Sequence, residues 1–156
     1  MQKNNSPGKS VIEDVSSYVA KSGEVELPAA VVEKAKNHIL CTLVAIVSGS
    51  ELKPGELAEK YAESQAGPKE AQVAYRRTVT SAINTAFANA IIAQADETDD
   101  SNPGTNTHSG CGIVPAMRAM SEREQADSKS FFRGVVIGYD IGCHMTQAPG
   151  WTVYII

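Results

Sequence analysis

No cluster of lysine or arginine longer than the pair Arg76-Arg77 occurs in this chain. Its 14 basic residues are outnumbered by 18 acidic ones, a formal net charge of −4, so the positive footprint of a nucleic-acid binder is missing and nothing draws the chain to an anionic membrane. Cysteine is sparse too. Cys41, Cys111 and Cys143 are odd in number, far apart and in no C-x-x-C pair, which argues against a disulfide framework or a zinc knuckle and favours a reducing compartment, the cytoplasm. The first nine residues, MQKNNSPGK, lack the apolar core of a secretory signal and read as a disordered terminus. The apolar run near the other end is broken by Arg133 and Asp140 and falls short of the ~20 residues that a bilayer needs, so no membrane span is expected.

What is present is a globular balance, 42% hydrophobic against 21% charged, enough for one ordinary domain, here residues 10–145. Ser10 can cap a helix whose Val11, Ile12, Val15, Tyr18 and Val19 recur on one face, ending at Ser22-Gly23. Pro28 suits a first helical position, and Val31, Val32, Ala35, Ile39, Leu40, Leu43, Val44 and Val47 form a broad stripe up to Gly49. His38 lies beside that stripe and reads as a packed or surface histidine. A shorter helix spans Pro54 to Gln65 with Leu57, Ala58, Tyr61 and Ala62 inward, and Gly67-Pro68 breaks the chain. Ala71 to Val79 is a strand or a helical lead-in, and Arg76-Arg77 reads as a solvated pair.

Thr80 to Ala95 is a helix with Ala82, Ala86, Ala90 and Ala93 as a small-residue stripe suited to close helix packing. After a loop, Pro115 is expected to open a helix over 113–120, a polar connection covers 121–126, and Asp127 caps a last helix from Ser128 to about Met145. There Gly134, Gly138 and Gly142 are spaced four apart. Glycine in a helix interior costs about 1 kcal/mol against alanine, so a flat packing face is the compensation expected. Residues 146–156 read as an irregular or truncated tail.

Chemistry concentrates in Ala93 to Pro115, AQADETDDSNPGTNTHSGCGIVP. Four carboxylates, Asp96, Glu97, Asp99 and Asp100, follow an apolar helix, and a polar loop leads to His108. Carboxylates beside a packed core are costly without partners, so one reading is a ligand, a metal or an ion-pair network, while the residues alone read more simply as a solvated loop. A calcium loop of the EF-hand type fails, because Ser101 stands where glycine is needed and Thr107 where a bidentate glutamate is needed. His108 and Cys111 alone do not make a zinc site, and nothing marks Cys111 as an activated thiol.

The pieces Ala86-Phe87-Ala88-Asn89, Glu97-Thr98-Asp99-Asp100-Ser101, His108-Ser109-Gly110 and Val114-Pro115-Ala116, in this order and spacing, resemble the MmgE/PrpD family, which includes 2-methylcitrate dehydratase and cis-aconitate decarboxylase. Residues 35–49 and 134–140 resemble further family segments. The resemblance implies an all-α helical bundle, the N-terminal part of the family's helical domain. It implies a lyase that removes water or CO2 from a small polycarboxylate with no organic cofactor and no metal. Carried over by position, His108, Glu97 and Asp100 become the catalytic candidates, with Asp99 and Ser101 as substrate-binding candidates. The chain departs from the family pattern in the loop Ser101-Asn102-Pro103-Gly104, where many members place another histidine. Family members are also about three times as long and take their basic active-site residues mostly from the part not matched here. The local cations are Arg76, Arg77, Arg118 and Arg123. This stretch alone is therefore expected to be an incomplete site that works as a homo-oligomer or with a partner, the alternative being a catalytically silent helical interaction module.

Overall fold

The computed structural model describes residues 10–104 and 106–147. Among them the chain forms six helices, α1 (Val11–Ser22), α2 (Ala29–Ser50), α3 (Lys53–Ser64), α4 (Ala82–Gln94), α5 (Ser109–Glu124) and α6 (Ser128–Gln147), and one hairpin of two-residue strands, β1 (Ala71–Gln72) and β2 (Val79–Thr80). The strands pair antiparallel, Ala71 opposite Thr80. This is the all-α bundle expected. No helix is long and apolar enough to cross a membrane among the described residues. The expected disordered terminus at 1–9 lies outside the described residues. So does most of the expected tail, but Thr146 and Gln147 prolong α6.

Helix starts follow the expected cap chemistry. Ser10 and Glu13 form a reciprocal capping box, Ser81 accepts from Asn84 N at the start of α4, and Asp127 accepts from Ser130 N at 2.8 Å at the start of α6. Both ends of α5 are corrected. It begins at Ser109, not near Pro115, which sits inside the helix, so the bond that its nitrogen would have made to the Cys111 carbonyl is lost, and it runs on to Glu124 through residues expected in the polar connection. Val114, Pro115 and Ala119 are buried, and that packing outweighs the local break.

The core is built mainly from small side chains. Ile46, Ala58, Ala62, Val73, Ala88, Ile92 and Ala93 join α2, α3, α4 and the hairpin, while Ile39, Val114 and Val135 join α2, α5 and α6. Two buried polar residues of α4 hold the hairpin: Asn89 Oδ1 accepts from Ala74 N at 2.8 Å, and Thr85 Oγ1 donates to the Ala71 carbonyl at 3.0 Å. The glycine row of α6 faces α5 as expected. A Cβ on Gly134 would collide with Met117, and one on Gly138 would lie 2.7 Å from Ile113 Cγ2.

Several apolar stripes are wider than the faces that are buried. In α2 the inward residues are Ala35, Ile39, Thr42, Ala45 and Ile46, while Leu40 (61% exposed), Val44 and Val47 point out. Leu57 and Tyr61, expected inward, are exposed, and α3 packs through Ala58 and Ala62. α1 buries no residue. It is held to α6 by the Tyr18 hydroxyl, which donates to Asp140 Oδ2 at 2.5 Å, and by Arg133, which donates to the Ser22 and Val25 carbonyls.

Candidate active site

α4 delivers the acidic segment to the edge of the core, and the backbone then reverses. Glu97 N bonds the Gln94 carbonyl at 3.3 Å, and Glu97 itself adopts φ +55°, a left-handed conformation that costs a residue with a Cβ roughly 1–2 kcal/mol. That reversal sends Asp99 and Asp100 back beneath the start of α5. The loop beyond is closed by Asn102 N bonding the Thr107 carbonyl at 2.8 Å and is tied to α6 by Asn102 Nδ2 on Cys143 Sγ at 3.1 Å.

The four carboxylates meet four different fates. Asp96 accepts from Ser48 and Thr98 and stays ionised below the usual carboxylate range, chiefly through the Ser48 hydroxyl. Glu97 is exposed, as is Ser101, and neither side chain makes a hydrogen bond among the described residues. The Asp99 side chain is fully buried, with Oδ1 3.2 Å from His108 Nδ1, while Oδ2 has no hydrogen-bond partner among the described residues. A neutral His108 that donates from Nδ1 to this carboxylate leaves its other ring nitrogen as an acceptor. The His108 side chain is 39% exposed, so one edge is fixed from within and the other is open to solvent.

Asp100 sits apart from that pair. Its Oδ2 accepts from His38 Nδ1 and from the Tyr139 hydroxyl, both at 2.8 Å, and its Oδ1 accepts from Gly110 N at 2.9 Å. Gly110 N is one of the unpaired amides in the first turn of α5, so this carboxylate caps that helix from outside at its positive end. The His38 and Tyr139 rings are 4.9 Å apart and tilted by 38°. Burial, then the hydrogen bond to Asp100 and its charge, pushes the Tyr139 phenol well above its ordinary value, which keeps it a neutral donor. His38 and Tyr139 also line a cleft of about 310 Å³ between α2 and α6.

The structure thus brings together Asp99 with His108, keeps Glu97 and Ser101 on the solvent side of the same loop, and separates Asp100 from His108. His38, read from the sequence as a packed or surface histidine, packs against Tyr139 and is in addition paired with Asp100. Tyr139 was not singled out in the sequence, since partners contributed by distant helices leave no local spacing. Cys111 donates to the His108 carbonyl at 3.0 Å, and burial, then the nearby Asp99 carboxylate, pushes its thiol up to about 11, so it is not an activated nucleophile. No group of three or more histidine, cysteine or acidic side chains suited to a metal occurs among the described residues.

None of the arginines near in sequence serves this loop. Arg76 pairs with Glu59 at 3.2 Å, Arg118 with Glu122 and Arg123 with Glu124, both at 2.7 Å, and Arg77 is exposed. Among the described residues no lysine or arginine forms an ion pair with Asp96, Glu97, Asp99 or Asp100. The profile of the MmgE/PrpD N-terminal domain matches residues 13–155. No curated protein and no solved structure matches the chain.

Proposed function

The chain belongs to the MmgE/PrpD family through its N-terminal domain, and on that premise we propose that it supplies the proton-transfer part of a lyase site for a small polycarboxylate, of the 2-methylcitrate or cis-aconitate kind. The observation that carries the reading is the His108–Asp99 contact, a half-open imidazole held from behind by a fully buried carboxylate. In a dehydration the free His108 nitrogen takes the proton from the carbon next to a carboxylate, and the hydroxyl leaves as water after protonation. In a decarboxylation CO2 departs and the carbanion-like centre left behind receives a proton from the imidazolium. Either way the histidine changes charge during turnover, and Asp99 orients it and offsets that charge.

Glu97 and Ser101 stand on the solvent side of the loop, Glu97 as a second acid or base and Ser101 as a hydroxyl for a substrate carboxylate. A polycarboxylate facing this acidic segment is repelled unless cations offset it. With the local arginines committed or exposed elsewhere, those cations come from outside the described helices, from another copy, a partner chain or further residues of the same protein. The exposed row Leu40, Val44 and Val47 supports self-association. The unpaired cysteines support a cytoplasmic setting. The same two observations, missing cations and an open apolar row, also suit a catalytically silent helical module.

Turnover and binding separate the two readings. cis-Aconitate and 2-methylcitrate are each offered to the chain and to its mixture with a longer family member whose matching histidine is replaced. Turnover restored by the wild-type chain but not by His108→Ala supports the lyase reading. A stable oligomer that binds neither acid and restores nothing supports the silent module.

A further inference from the structure

Asp100 is built into the fold more firmly than a group that meets substrate needs to be. Three helices donate to it, α2 through His38, α5 through Gly110 N and α6 through Tyr139, both of its oxygens are engaged, and its side chain is only 12% exposed. A Cβ on Gly110 would overlap the carboxylate itself and lie 2.6 Å from Thr42 Oγ1 and 2.7 Å from the Tyr139 hydroxyl, so the cradle is closed around the acid. The carboxylate is also linked through the chain to both members of the proposed proton-transfer pair. One peptide bond joins it to Asp99, and its hydrogen bond to Gly110 N fixes the turn that His108 begins.

We propose that Asp100 is a positioning residue and that His38 and Tyr139 are further positioning residues, the three together setting the contact between His108 and Asp99. The proposal rests on the reading of His108 as proton carrier but concerns a different step, the alignment of the pair before any substrate arrives. Two ends of a contact at 3.2 Å are tied to one carboxylate, so releasing Asp100 loosens both at once. The groups facing Asp100 are His38, Tyr139, Thr42 and Gly110 N, and the elevated phenol pKa ensures that Tyr139 donates across the neutral range.

The test needs no substrate, which keeps it separable from the lyase reading. Long-range proton–nitrogen NMR spectra of the chain labelled with ¹⁵N-histidine, taken near pH ~8.5 where imidazoles are neutral, report which ring nitrogen carries the proton. Wild-type His108 is expected as the Nδ1–H tautomer. Tyr139→Phe and His38→Ala should lose that preference and move toward the Nε2–H form of an unpaired imidazole, with the helical circular dichroism kept. His38→Asn, whose amide can donate from nearly the position of Nδ1, should restore it. If His38→Ala fails to fold, Tyr139→Phe decides alone, because it removes one hydroxyl from a half-buried ring. An unchanged His108 tautomer in folded Tyr139→Phe, with or without a lower melting temperature, would reduce the cluster to a helix cap and overturn the proposal. A wild-type His108 in the Nε2–H form would overturn it as well, whatever His108→Ala does to turnover.

Discussion

Replacing Gly110 by alanine tests whether the carboxylate cradle is as tight as its geometry implies. The new methyl has no free space, since it meets Asp100 Oδ1, the Thr42 hydroxyl and the Tyr139 hydroxyl at once, and these atoms are held by one another. Displacing Asp100 breaks its bond to Gly110 N, worth roughly 1.5–3 kcal/mol for a charged acceptor, and forced overpacking adds about 1–3 kcal/mol. Alanine returns up to about 1 kcal/mol of helix propensity, so a net loss of about 3 kcal/mol is expected. For a domain of this size that lowers the melting temperature by roughly 6–12 °C. The control lies two residues on in the same helix. A Cβ on Gly112 meets nothing within 4 Å, so Gly112→Ala should be neutral or raise the melting temperature by up to about 4 °C. Thermal melts followed by circular dichroism settle it, and melting temperatures for the two variants within about 2 °C of each other would refute the reasoning.

Cys111 should alkylate slowly. With its thiol raised to about 11 against an ordinary ~8.5, iodoacetamide labelling at pH 8 should run about two orders of magnitude below that of the unfolded chain, read by peptide mass mapping so that Cys41 and Cys143 are scored separately. Asp99→Asn should speed it, and equal rates at all three cysteines in the folded chain would contradict the assignment. The same raised thiol fixes a sign for stability. The neutral form is favoured in the fold, so its contribution is complete below the unfolded value near ~8.5 and fades as pH rises through about 11, which pH-dependent urea midpoints would reveal as a decline. Sedimentation velocity at micromolar concentration should show self-association that Leu40→Ser with Val44→Ser weakens, whereas a wild-type monomer would count against the role given to that face.

The sequence was most legible where the determining contacts are local. Ser10, Ser81 and Asp127 mark helix starts by chemistry acting within three residues, and the four-residue glycine spacing of α6 already implies a close helix neighbour. Legibility falls where a partner decides. An apolar stripe shows what can be buried and not what covers it, so Leu40, Val44, Leu57 and Tyr61 look alike in sequence to Ile39 and Ile46 yet face outward. Pro115 reads as a helix start because its missing N–H is harmless there, but burial of Val114 and Ala119 carries the helix across it. In the candidate site, family motifs brought out His108 and the acidic run, whereas His38 and Tyr139 join Asp100 through tertiary packing that no local spacing marks. The different fates of Asp99 and Asp100, adjacent residues of one type, depend on the reversal at Glu97, which no residue preference announces.

The account stands most directly on the turnover of His108→Ala against His144→Ala, measured with cis-aconitate and 2-methylcitrate in the cation-completed assembly. His144 is exposed at the far end of α6 and pairs with Asp140, outside the acidic loop, so its removal should leave kcat nearly unchanged. Losing a single positioned acid–base group typically costs about 10²- to 10⁴-fold, and His108→Ala should lower kcat within that range with the fold intact. Near-full turnover without His108, or an equal loss in both variants, would contradict the central claim.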